Sequence, residues 1–159
     1  MRRILSNAPP AIIPWDVYEQ LAREGIDMLC AGEYDGPRAL RDYFRAAIWG
    51  DVVLYENKVE VEFHALSGAP PPRIEGVMGD IMADHPSGEG PPLSGMLLLW
   101  DSGEALFEIY AYADVLPADI AKYRWTYAYL RPQPSGAVMR SPADVRDPDS
   151  FWKLDIRKD

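Results

Sequence analysis

The sequence predicts an α+β domain, two N-terminal helices packed on a mostly antiparallel sheet, followed by an irregular C-terminal tail. Three observations carry this expectation. Apolar residues between positions 15 and 48 recur at helical spacing, the pattern changes to a period of two from Asp51, and prolines return at 132, 134, 142 and 148. A length of 159 residues suits one domain. We take it as residues 1–131, with 132–159 as a Pro-containing tail packed on it.

The first helix runs from Trp15 to Leu29. On a helical wheel Trp15, Val17, Tyr18, Leu21, Ala22, Gly25, Ile26, Met28 and Leu29 share one half, while Asp16, Glu19, Gln20, Arg23, Glu24 and Asp27 share the other. Pro14 suits the start and Gly32 the stop. Gly25 lies on the apolar side, where it permits close packing. A second helix is expected from near Pro37 to Gly50, capped by Asp35 or Gly36, with a core stripe of Leu40, Tyr43, Phe44, Ala47 and Ile48. Arg38, Arg41 and Arg45 line another flank, either a solvated face paired with acids or a seat for an anion.

Strands follow. Val52–Tyr55 and Val59–His64 flank a turn at Glu56-Asn57-Lys58, with Val59, Val61 and Phe63 facing one way and Glu60, Glu62 and His64 the other. Ser67–Pro72 reads as a loop because its three prolines cannot donate to a ladder. Ile74–Ala83 is a strand and Asp84–Pro92 a second loop. Gly95–Trp100, Asp101-Ser102-Gly103 and Glu104–Tyr112 make the clearest hairpin, its first arm apolar enough for a central strand. Tyr123 to Leu130 alternates again, and Phe151–Ile156 suits a last short strand.

The order of helix, helix and strands, with Val77–Asp84, Met96–Trp100, Asp101-Ser102-Gly103 and Leu106-Phe107-Glu108-Ile109-Tyr110, resembles a group of small bacterial proteins without an assigned activity. Their hairpins end in a Leu-Glu-Ile-Tyr-like strand. Similar hairpins occur among immunity-type proteins, which neutralise toxins. The resemblance spans roughly residues 10–116 and departs at Phe107, where Glu or Ser is usual, and in the tail after Arg131. It implies architecture and a binding or inhibitory role, and carries over no functional residues.

Composition and charge narrow the function classes. With 48% apolar and 26% charged residues the chain is neither disordered nor collagen-like, and Cys30, the single cysteine, cannot form an internal disulfide. Met1–Asn7 has the charges of a signal peptide without its apolar core, and no apolar run approaches the ~20 residues of a membrane span. A cytoplasmic protein without membrane association is expected. The net charge of −9 is uneven: residues 51–120 carry thirteen acids against Lys58 and Arg73. Such a segment repels nucleic acid and anionic lipid and attracts a basic protein. Its blander role is solubility.

No Gly-x-Ser-x-Gly, His-Glu-x-x-His, Cys-x-x-Cys, dinucleotide fingerprint or phosphate loop is present, so no cofactor and no catalytic residue is assigned. Two carboxylate–His groupings remain: Glu60, Glu62 and His64 on one strand face, and Asp80, Asp84, His85 and Glu89 at a strand end. Either can offer oxygen and imidazole ligands, but alternate strand residues stand ~7 Å apart, wide for one metal. The stripe Tyr123, Trp125, Tyr127 and Tyr129 is either a core face or an exposed platform for a partner. The leading expectation is a non-enzymatic protein-binding module with an acidic β face, an immunity-type inhibitor of a basic protein. Its candidate contacts are Glu60, Glu62, His64, Tyr123, Trp125, Tyr127 and Tyr129. The alternative is a small metal-dependent hydrolase using a carboxylate–His cluster. Self-association to a homo-oligomer is compatible with both.

Overall fold

The computed structural model describes residues 2–4, 14–65, 74–150 and 154–156. Helix α1 (Trp15–Leu29) buries Tyr18, Leu21, Ala22, Gly25, Ile26 and Leu29, the centre of its apolar stripe. Pro14 stands at its N-cap, and the chain leaves it through Cys30 and the left-handed Gly32. Helix α2 (Asp35–Ala46) follows and buries Leu40 and Tyr43. It stops four residues before Gly50, and strand β2 (Ala47–Leu54) begins without a connecting loop. The expected end at Gly50 is therefore corrected. Ala47, Ile48 and Trp49 pair with Ala65, His64 and Phe63, and ladder formation by Ile48 and Trp49 outweighs the helical spacing. Ile48 consequently faces solvent instead of the core.

The remaining strands are β3 (Lys58–Ala65), β4 (Ile74–Asp84), β5 (Leu93–Leu99), β6 (Glu104–Ala111), β7 (Arg124–Pro132), β8 (Val138–Ala143) and β9 (Leu154–Ile156). Together with β1 (Arg2–Ile4) they make one sheet in the order β1-β2-β3-β6-β5-β4-β7-β8, with β9 beside the start of β4. Every pairing is antiparallel except β1 with β2. The architecture is α+β, as the periodicities predict. Ser67–Pro72 lies outside the described residues. The stretch after Arg131 is more regular than its prolines suggest. Pro142 sits within β8, the last strand in the order on that side, where a missing donor is tolerated.

Helix α1 packs across β3, β6, β4 and β7. Between helix and sheet lie Val59, Val61, Phe63, Met78, Ile81, Leu97, Phe107 and Ile109, all essentially inaccessible to solvent. Close approach depends on two glycines. A Cβ on Gly25 would stand 2.8 Å from Phe107 Cζ, and one on Gly95 2.8 Å from both Ile81 Cδ1 and Trp125 Cη2. The indole of Trp125 fills the space so created and donates from Nε1 to the Leu21 carbonyl at 2.8 Å.

A buried ion pair ties the tail to this core. Arg146 donates from Nε and Nη2 to the Asp80 carboxylate at 2.7 and 3.0 Å, and also to the carbonyls of Met28, Leu29 and Ala31 at 3.2, 3.0 and 2.7 Å. Those carbonyls lie at or just past the α1 C-terminus, where a cation is also favoured by the helix dipole. Arg41 adds bonds to the carbonyls of Cys30 and Gly32. Arg38 pairs with Glu33 and Asp35, and Arg45 with Asp42, so the arginine flank of α2 is occupied by local partners. Among the described residues no helix is long and apolar enough to cross a membrane.

Candidate functional site

The pleat of the sheet decides what the helix-free face displays. Because β3 pairs with β6, Lys58 stands opposite Tyr110, Glu60 opposite Glu108, Glu62 opposite Leu106 and His64 opposite Glu104. The period of two that buries Val59, Val61 and Phe63 turns this set outward. The acidic strand face expected from the sequence therefore exists, but it is not uniformly charged. Lys58 Nζ lies 2.6 Å from Glu60 Oε1 and 3.2 Å from Glu108 Oε2, and the Tyr55 hydroxyl donates to Glu60 Oε2 at 3.1 Å. Burial pulls the Lys58 ammonium down, but the two carboxylates outweigh it and hold its pKa above the ordinary lysine value. Glu60 thus belongs to a cluster in which Lys58 offsets part of the charge of two carboxylates.

Glu62, His64 and Glu104 differ. They line a cavity of about 270 Å³ with Glu60, Leu106 and Trp100, the last 45% exposed. Ser102 donates to Glu104 Oε2 at 3.1 Å, and no lysine or arginine among the described residues pairs with Glu62 or Glu104. The imidazole of His64 lies over Gly50, whose missing Cβ would stand 2.6 Å from its Nε2. An aromatic wall beside two unbalanced carboxylates suits a cationic side chain. Trp100 and Glu104 escaped the sequence reading: the β3–β6 register sets Glu104 opposite His64, and Trp100 joins them from the turn after β5.

The second carboxylate–His grouping does not assemble. Asp80 is held by Arg146, while His85 Nε2 sits 2.9 Å from Asp119 Oδ2. His85 Nδ1 meets Ser87 Oγ at 2.6 Å and accepts the Ser87 amide at 3.1 Å, and Ser87 Oγ in turn accepts the Glu89 amide at 3.2 Å. The bonds among His85, Ser87 and Glu89 close a tight turn in an exposed loop. Among the described residues no three His, Cys, Asp or Glu side chains gather to hold a metal ion.

The aromatic stripe divides. Tyr123 and Trp125 are core residues, and Tyr127 is half-buried with its hydroxyl donating to the Met28 carbonyl at 3.2 Å. Tyr129 alone of the four is exposed. The stripe turns its start toward α1, and only its far end remains open to a partner. Cys30 is buried, and burial first, then Asp27, pushes its thiol up to about 12. Alkylation of the native protein at neutral pH should be slower by orders of magnitude than of the unfolded chain. Iodoacetamide labelling followed by mass spectrometry checks this, and native labelling at the unfolded rate would contradict it.

No family model, curated protein or solved structure matches the chain.

Proposed function

We propose that the protein is a non-enzymatic binding module whose helix-free sheet face takes a basic protein partner, in the manner of an immunity-type inhibitor. The observation that carries this reading is the cavity at Glu62, His64, Trp100 and Glu104, where two carboxylates lack a balancing cation and an indole stands exposed beside them. An arginine or lysine entering it exchanges water for carboxylate bonds and for the indole face. The thirteen acids of residues 51–120 supply a longer-range field that steers such a partner.

The geometry also names the informative variant. Reversing Glu60 would break the Lys58 cluster and confuse binding with local repacking, whereas Glu62 and Glu104 are the unbalanced pair. Immobilised wild-type protein and a Glu62→Lys, Glu104→Lys double variant are offered the same lysate of the source cell. A basic protein retained by the wild type, lost from the variant and eluted by moderate salt is the expected result. Equal recovery on both supports, or nothing retained by the wild type at low salt, overturns the proposal.

A further inference from the structure

We propose a second binding site on the same sheet face, a pocket for the carboxylate of a small organic acid, with Arg140 as its anion-binding residue. The inference goes beyond the basic-partner reading and does not depend on it. Along the helix-free face Tyr110, Ser94, Met82 and Thr126 follow one another across β6, β5, β4 and β7. Arg140 on β8 and Tyr112 just past β6 close over this row from opposite sides, and Arg140 Nη1 meets the Tyr112 hydroxyl at 2.8 Å. Beneath them Met82, Ser94 and Ala128 are buried although no helix covers them.

The guanidinium is the unexplained part. Its Nε and Nη2 are buried and have no hydrogen-bond partner among the described residues. A shielded cation with two empty donors is costly unless an acceptor completes it. Nε and Nη2 form one edge of the guanidinium, whose parallel N–H bonds match the two oxygens of a carboxylate. Nη1, engaged by Tyr112, fixes the plane of that fork. Gly79 lies beneath, where a Cβ would come within 3.5 Å of Nη2. Thr126 Oγ1, on the residue paired with Met82, is likewise buried without a partner.

A cavity of about 300 Å³ adjoins the guanidinium, lined by Met82, Pro92, Tyr112, Val138, Met139 and Arg140. Its size suits a small metabolite, and four of its six lining residues are apolar or proline. Arg140 is its single charged residue, which fits a monoanion on an apolar stem better than a phosphate dianion. Met139, 52% exposed, is one of the lining residues.

The test titrates the full chain with butyrate, hexanoate and benzoate, with benzamide as the neutral isostere of benzoate and inorganic phosphate as a stemless oxyanion. The readouts are the Arg140 Nε–H resonance and the melting temperature. Saturable shifts with a carboxylate and none with benzamide are expected. Arg140→Lys, which keeps the charge and loses the fork, should weaken binding on the order of tenfold, and Arg140→Met should abolish it. Tyr112→Phe, a change at an exposed ring, should weaken it less and serves as the folded control. No response to any carboxylate, undiminished binding to Arg140→Met, or a response to phosphate alone overturns the proposal.

Discussion

Replacing Arg146 with alanine is expected to destabilise the fold by about 3–5 kcal/mol, the cost of leaving one member of a buried ion pair alone. Arg146 is 7% exposed and Asp80 1%, so water cannot take over the lost bonds. The same change takes a donor from the Leu29 and Ala31 carbonyls and one of several from Met28, and removes the cation stacked 5.1 Å from the Tyr127 ring. For a domain of this size the melting temperature should fall by roughly 6–20 °C. Thermal and urea unfolding of the variant measure it. A loss below about 1 kcal/mol would mean that the tail is not anchored by this contact.

The pH dependence identifies the cause. Burial raises the Asp80 carboxyl above the ordinary aspartate range, and the bonds to Arg146 pull against it. A carboxyl whose folded pKa is raised supports the fold most when protonated, and that support is lost as pH rises through the folded pKa. Without Arg146 the opposing pull is gone, so the Asp80 pKa rises further. The stability gap between Arg146→Ala and the wild type should narrow as pH falls from neutral toward the aspartate range. Converting both partners to apolar residues, Asp80→Leu with Arg146→Met, should recover most of the loss, because no unpaired charge remains. A gap independent of pH would assign the defect to the lost carbonyl bonds instead.

The legible parts of this chain are those whose signal is local. Val59, Glu60, Val61, Glu62, Phe63 and His64 alternate because one sheet face is covered by α1 and the other is not, so strand, face and part of the candidate site follow from the spacing alone. The end of α2 was not legible. Ala46, Ala47 and Ile48 continue the helical spacing, and only pairing with a strand some sixteen residues away settles them as β2. The Asp80–Arg146 pair spans 66 residues. Its trace in the sequence is a carboxylate inside the apolar strand Val77–Ala83, which signals a buried partner without saying which one. The charge of the acidic face was overstated for a related reason. Counting residues cannot show that Lys58 answers both Glu60 and Glu108. Arg140 escaped notice because its prolines marked β8 as irregular.

Trp125→Ala is the other large effect, and it decides how the aromatic stripe is to be read. Were the stripe a partner platform throughout, removing this ring would weaken binding and spare stability. The structure predicts the opposite. The indole lies between Gly25 of α1 and Gly95 of β5, meets Phe107 edge-on at a centroid distance of 6.2 Å, and holds the Leu21 carbonyl. Truncation opens a cavity walled by two glycines that cannot fill it, at a cost of about 3–5 kcal/mol. Trp125→Phe keeps most of the ring volume and loses the Nε1 bond, which should cost about 1 kcal/mol for the bond beyond the change in packing. Tyr129→Ala, at the exposed end of the same stripe, should stay within about 0.5 kcal/mol of the wild type. Urea denaturation of the three variants gives the ranking directly. If Trp125→Ala proves as mild as Tyr129→Ala, the indole is not the wedge between α1 and the sheet, and the stripe returns to the surface as a contact for a partner.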